Sequence, residues 1–232
     1  MLRITKTNKL TSTESVDIIE KIVYEYLKPL GFKKYGRTLH RFVDSDISQV
    51  VNLQNGCPSK GVYDILWVNL GIRIPECVER KFSIEEPLKK YYHEYECNIR
   101  TRLGSLVDRK DTFYDLKKDP YKIANDIVKR IEKYAMPVFD VLDSRDAVLK
   151  HRMEYPNFDQ FSNHLIRLEE AMILGRNGNI VAASRLFNAY YQEALAKYNH
   201  DLEQGTKMCL SIRNCIKRAP KSTVPGQHRF GF

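Results

Sequence analysis

The chain has 232 residues, of which 43% are hydrophobic and 29% are charged, as in ordinary globular proteins, so disordered and fibrous classes are excluded. This length suits one large domain, or one domain with an appendage. No apolar run reaches the roughly 18 residues of a membrane span, and residues 1–15 lack the apolar stretch of a secretory signal. We therefore expect a cytoplasmic protein that does not cross a membrane.

The net charge of +9 is concentrated at one end of the chain. No acidic residue follows Glu203, whereas six basic residues do: Lys207, Arg213, Lys217, Arg218, Lys221 and Arg229. We interpret this end as a solvated basic tail, disordered over residues 217–232, and attraction to polyanions is the alternative interpretation.

Five cysteines and six histidines are scattered along the chain, without a CxxC pair or an HExxH motif. This spacing gives no support to a zinc site or to any other metal or cofactor. Because the protein is expected in the cytoplasm, we interpret the cysteines as buried, reduced thiols.

The first predicted helix covers residues 14–30, where apolar residues recur at the spacing of one buried stripe. Ser12 or Thr13 is expected to cap it, and Pro29 and Gly31 are expected to end it. The stripe predicts a helix packed on a sheet.

Alternation of apolar and polar residues then predicts a meander of four strands and a short fifth. They cover residues 36–43, 48–54, 62–74, 96–103 and 112–116. Between the third and fourth, residues 80–94 form a predicted connecting insertion with a helical turn starting at Ser83, because Pro87 fits the first turn of a helix.

A second helix is predicted to start at Pro120 with Asp119 as its cap, and Pro137 is expected to kink or restart it. Residues 1–150 are therefore predicted to form an α+β domain, in which an antiparallel meander of four to five strands has helices packed on one face.

Residues 151–216 are predicted to be a helical extension, with a first stripe that starts at Phe158. Residues 165–197 resemble one tetratricopeptide hairpin, in which small residues such as Gly178 and Ala183 let two helices approach and Phe187 fills the gap. Since arrays of this type need several stacked units, we expect this hairpin to be a lid packed on the sheet domain, and a peptide-binding superhelix is the alternative.

Four ordered motifs carry a further resemblance: LKPLGFKKYGRTLHRF, QVVNLQNG, WVNLGIRI and ECNIRTRLGSL. Over about residues 12–150 the chain resembles domain-of-unknown-function family 4304. The resemblance implies a bacterial cytosolic α+β protein and brings no catalytic residue to transfer. The helical and basic extension lies outside it.

Strand alternation also predicts a polar sheet face opposite an apolar one. Its candidate ligand-binding residues are Asn52, Trp67, Asn69, Arg73, Asn98, Arg100 and Arg102. This set suits an anionic or planar ligand, because the guanidinium of arginine can bind a carboxylate or phosphate, the amide of asparagine can both donate and accept, and an exposed tryptophan can stack on a planar group. Alternatively, the face is simply solvated, or is paired internally with Asp64 or Glu96 and covered by the C-terminal helices.

Catalytic motifs are lacking in this sequence, which has no phosphate-binding glycine loop, nucleophile elbow or kinase signature. Strand alternation places Cys97 on the apolar core face, where we expect an inert thiol. His40, on the first strand, is the candidate for a general base. The sequence therefore favours a non-enzymatic binding protein, regulatory or an immunity-type antagonist of a toxin, with a protein partner. The alternative is a nucleic-acid-binding protein that uses Trp67, the strand arginines and the basic tail.

Overall fold

A computed structural model describes residues 10–44, 46–56, 64–82, 89–159 and 166–198. Contacts divide the chain into two compact units, residues 1–75 with 87–163 and residues 76–86 with 164–232. The basic tail and the predicted turn at Ser83 lie outside the described residues.

The first unit contains a six-stranded antiparallel sheet, which confirms the predicted α+β meander. Five strands follow one another in space in chain order, and the short sixth strand pairs with one end of the fourth. The strands are β1 Lys33–Tyr35, β2 Thr38–Val43, β3 Ile47–Asn55, β4 Ile65–Arg73, β5 Ile99–Arg102 and β6 Tyr114–Asp115. Strand β1 was not predicted, because its three residues are too few to show a period-two pattern in the sequence.

Helix α1, Ser12–Leu27, starts one residue earlier than a Ser12 cap would give and two earlier than a Thr13 cap would give. Its cap is Thr11, whose side chain accepts from the backbone N–H of Glu14 while the Glu14 carboxylate accepts from the N–H of Thr11. This reciprocal pair is a capping box. The helix ends in a short 3-10 turn that contains Pro29, and Gly31 follows at φ 88°.

The remaining helices of this unit follow β5. Helix α4, Pro120–Arg130, begins under an Asp119 cap, as predicted. A π-helical turn at Ile131–Ala135 joins it to α5, Met136–Val141, so the helix restarts beside Pro137, as one of the two predicted outcomes. The helices are α3 Leu103–Asp108, α4 Pro120–Arg130, α5 Met136–Val141 and α6 Arg145–His151.

Helices cover one side of the sheet, which we call the helical face and define by Leu39, Val51, Leu70, Ile72 and Ile99. These five side chains are fully buried, and so are the facing apolar residues of α1, α4 and α5. Phe139 packs between Phe32 and Phe158, at ring-centroid distances of 6.2 and 5.5 Å. The hydrophobic core of the unit therefore lies on this face.

Phe158 corrects one prediction about the extension. It lies in a 3-10 turn, Pro156–Phe158, and belongs to the first unit rather than to the first helix of a hairpin. Its packing on Phe139 explains its apolar character without a helical stripe.

The second unit contains three helices in its described part: all but the first residue of α2 Pro75–Phe82, then α7 Ile166–Arg176 and α8 Ile180–Tyr198. Helix α2 was not predicted, although Pro75 at its start is a helix signal. Helices α7 and α8 contact each other closely, and Gly178 turns the chain between them at φ 81°. Within this unit the Cys77 Sγ donates to the carbonyl oxygen of Glu169.

Candidate functional site

The side of the sheet opposite the helical face is the polar face, whose layout is fixed by the strand register. Residues that pair across antiparallel strands point to the same side. One row across β2 to β5 contains Thr38, Asn52, Asn69 and Arg102. The next row contains His40, Val50, Gly71 and Arg100, and a third contains Phe42, Ser48 and Arg73.

The seven candidate residues divide into two groups by exposure. Asn69, Arg73 and Asn98 are buried, with 2%, 2% and 3% of their surface exposed. The other four are partly exposed: Asn52, Trp67, Arg100 and Arg102. Asn98 lies just before β5, where its side chain accepts from the backbone N–H of Ile74 at 2.8 Å, so it closes the end of β4.

The polar face is partly covered by a segment of the same unit, residues 89–97, which we call the covering segment. Tyr91 stacks on Tyr35 with ring centroids 4.5 Å apart and planes 10° apart. The Tyr92 ring lies under the guanidinium of Arg73 at 3.8 Å. His93 Nδ1 is 3.4 Å from the hydroxyl of Thr38. Residues 89–94 of the predicted insertion are therefore an ordered aromatic cover, whereas residues 80–82 end helix Pro75–Phe82 of the second unit.

Cys97 lies against the polar face, whereas parity with Ile99 placed it on the core face. A Cβ built on Gly71 would be 2.6 Å from the Cys97 Sγ, so the thiol sits directly over this glycine. The parity argument fails because β5 begins at Ile99, so Cys97 precedes the alternating part of the chain. Burial raises the pKa of this thiol, which is therefore neutral and a poor nucleophile.

The partly exposed group forms one edge of the polar face with two neighbours; we call this edge the rim and define it by Asn52, Gln54, Trp67, Arg100, Arg102 and Phe113. The Arg102 guanidinium lies 4.9 Å from the Trp67 ring centroid, and Phe113 approaches the same ring edge-on at 6.3 Å. Phe113 is 54% exposed. The rim thus combines aromatic surface with arginine.

Both rim arginines have carboxylate partners. Arg100 Nη1 donates to Glu94 at 3.3 Å, and Arg102 pairs with Asp111. The suggested internal partners bind elsewhere, since Asp64 accepts from Ser12 and Glu96 accepts from Lys89. Burial raises the pKa of Glu94, opposed by the nearby arginines. Because each arginine faces an acid, the rim has little excess positive charge.

An amide network joins the rim to the interior of the face. Asn69 Nδ2 donates to Gln54 at 2.8 Å and lies 3.3 Å from the Asn52 oxygen, and Asn52 Nδ2 donates to the Thr38 hydroxyl at 3.0 Å. These bonds explain why asparagines occupy strand positions that usually disfavour them.

The interior of the polar face contains polar groups of a different kind. His40, Ser48 and Arg73 are at most 2% exposed, and each has side-chain atoms without a hydrogen-bond partner among the described residues. Arg73 was predicted to belong to the face, but Ser48 was missed, although strand parity with Asn52 placed it there. The covering tyrosines were also missed, although the run YYHEY was a visible aromatic signal.

Two further findings concern metal binding and membrane crossing by the described residues. They contain no group of three or more histidine, cysteine, aspartate or glutamate side chains that could hold a metal ion. None of the described helices combines the length and apolarity that a membrane crossing requires.

Comparison with known proteins bears on the sheet unit. No curated protein and no solved structure matches the chain. A family model described as "Domain of unknown function (DUF4304)" matches residues 23–141, from the last part of α1 to the end of α5. The match therefore includes all six strands, the covering segment and every residue of the rim. With more than half of its length matched, the chain belongs to the DUF4304 family.

Proposed function

We propose that the protein is a non-enzymatic binding protein, regulatory or of the immunity type, and that it recognises a protein partner through the rim. The observation that carries this proposal is the cluster of Arg102, Trp67 and the exposed Phe113 at the edge of an otherwise covered face. Tryptophan, tyrosine and arginine are the residues in which binding energy concentrates at protein interfaces.

Rigidity also supports binding at the rim. Trp67 lies on β4 opposite Gln54 of β3, and Arg102 ends β5 opposite Asn69 of β4, so both side chains project from a hydrogen-bonded sheet. Groups that are ordered before binding lose little conformational entropy when a partner arrives. Aromatic and arginine anchors on strands are therefore well placed for specific recognition.

The charge balance favours a protein over a nucleic acid. Polyanion binding depends on lysines and arginines that neutralise phosphates and release counterions. At the rim, Glu94 and Asp111 already neutralise Arg100 and Arg102. The nucleic-acid alternative would therefore depend on the basic tail, which lies outside the described residues.

Affinity capture from cells that naturally make the protein tests the proposal, with the full chain as bait. We expect a partner that wild type retains to be lost with Trp67→Ala, because removal of a central aromatic anchor weakens binding by about tenfold or more. Tyr121→Ala is the control, since Tyr121 is an even more accessible aromatic residue, 57% exposed, and lies on α4 outside the rim.

Three results would contradict the proposal. The first is retention of every captured protein by Trp67→Ala at wild-type levels. The second is equal loss with Tyr121→Ala. The third is a captured species that nuclease removes and that dissociates steeply as salt rises, which would establish the nucleic-acid alternative instead.

A further inference from the structure

Three buried polar side chains on the polar face have atoms without a hydrogen-bond partner in the part of the chain that the structure describes. They are His40 through both ring nitrogens, Ser48 through its hydroxyl, and Arg73 through Nε and Nη1. Their exposed fractions are 1%, 0% and 2%. Buried polar groups are nearly always paired, so three such groups on one face need an explanation.

The three residues lie on adjacent strands and point to the same side of the sheet. Ser48 pairs directly with Arg73, which places their Cβ atoms about 5 Å apart. His40 pairs with Val50, two residues along β3, and is therefore the diagonal neighbour of Ser48. Their donors can thus converge on one small group between β2 and β4.

Apolar and aromatic groups surround this cluster. The Phe42 ring packs against His40 at 5.4 Å and against Tyr92 at 6.1 Å. The guanidinium of Arg73 lies 3.8 Å from the Tyr92 ring centroid, a contact that leaves its Nε and Nη1 N–H groups without a partner among the described residues. In such surroundings a hydrogen bond to a charged group is much stronger than it is in water.

Among the described residues, the charges near Arg73 do not neutralise it. The neighbouring Cys97 thiol is neutral, because burial raises its pKa. The Glu94 carboxylate binds Arg100 on the next strand. His40 adds no charge, since burial lowers its pKa and it stays a neutral imidazole at pH 7. A buried arginine of this kind strongly favours an anion beside it.

We propose that Arg73, Ser48 and His40 form a binding site for one small oxyanion, that is, a single carboxylate or phosphate group. Arg73 supplies the charge and N–H donors, Ser48 supplies a hydroxyl, and neutral His40 supplies one N–H. The site is separate from the rim and does not depend on the proposed protein partner.

Thermal unfolding and titration calorimetry of the full chain, with inorganic phosphate and acetate as separate probes, test this site. Ionic strength is held constant with sodium chloride. We expect saturable binding of at least one probe, which Arg73→Met weakens by about tenfold or more because a charged hydrogen bond is lost. Arg130→Gln, which removes one positive charge on α4 outside the site, should leave the affinity unchanged.

Ser48→Ala keeps the test decisive even where Arg73→Met does not fold. This substitution changes no charge, so any attraction between the anion and the basic tail stays the same. We expect it to weaken anion binding at the site by several-fold. Binding of phosphate without acetate would assign a phosphate group, and the reverse a carboxylate. The proposal is overturned if neither probe binds wild type saturably, or if Ser48→Ala binds as tightly as wild type does.

Discussion

The two faces of the sheet differ in whether their buried polar side chains have hydrogen-bond partners. On the helical face, Gln49 donates to the carbonyl oxygen of Phe139, Thr101 donates to that of Asn157, and Arg41 pairs with Asp140. On the polar face, His40 and Ser48 are equally buried, yet they have no partner among the described residues. Near the centre of the sheet, the strands thus pair the buried polar groups of the helical face and leave these two on the polar face unpaired within the described ranges, while Asn55 Oδ1, at the end of β3, is a further such unpaired atom on the helical side.

This difference in hydrogen bonding indicates that the two faces have different roles. An unpaired buried donor or acceptor costs about 1–3 kcal/mol of folding free energy. Replacement of such a group by an apolar one would stabilise the fold, as it often does for buried charges. The helical face therefore stabilises the protein, whereas the interior of the polar face is better suited to binding.

The largest expected effect tests the assignment of the core to the helical face. Phe139→Ala should lower the free energy of unfolding by about 3–5 kcal/mol, because it removes a fully buried ring between Phe32 and Phe158. Tyr91→Ala is the counterpart on the polar face and should cost less, because its ring is only half-buried. Urea denaturation measures both, and equal losses would remove the distinction between the faces.

A smaller effect tests the covering segment. Gly71→Ala should destabilise the protein by about 1–3 kcal/mol, because the new Cβ would lie 2.6 Å from the Cys97 Sγ and 2.8 Å from its Cβ. Cys97→Gly removes both atoms, so the double variant should recover part of the loss in a double-mutant cycle. Strict additivity of the two changes would show that the covering segment does not rest on Gly71.

Residue patterns were sufficient for the parts of the fold that depend on local rules. The stripe in α1, the cap and proline at Asp119–Pro120 and the alternation in β2 to β5 each reflect the periodicity or capping of one element. The α1 cap was misassigned because Thr11, Ser12 and Thr13 are all chemically competent, and the capping box selects Thr11 through Glu14.

The cover over the polar face required information that no local pattern contains. Tyr91 and Tyr92 contact β1, β2 and β4, which lie far from them along the chain. Alternation predicted that Asn52, Asn69 and Arg73 share a face, but it carries no information about which segment folds back over them. The position of Cys97 was wrong for a related reason, since parity is valid only within the strand ladder.

The smallest expected effect concerns His40 and the pH dependence of stability. Burial, and to a lesser degree Lys33, lower the pKa of this imidazole below 6.5, its ordinary value. The unfolded chain therefore binds a proton at a pH where the folded chain does not. The stability that this group contributes is complete above pH 6.5 and is lost as pH falls, with a slope of at most about 1.4 kcal/mol per pH unit.

His40→Phe keeps a ring against Phe42 and cannot titrate, so its free energy of unfolding should fall less than that of wild type between pH 7 and 5.5. His151→Gln is the control, because His151 lies at the end of α6 beside Glu154 and away from the polar face. Urea midpoints at the two pH values measure the slopes. If wild type and His40→Phe lose stability equally, the His40 imidazole is solvated or paired, and the contrast between the two faces then rests on Ser48 and Arg73.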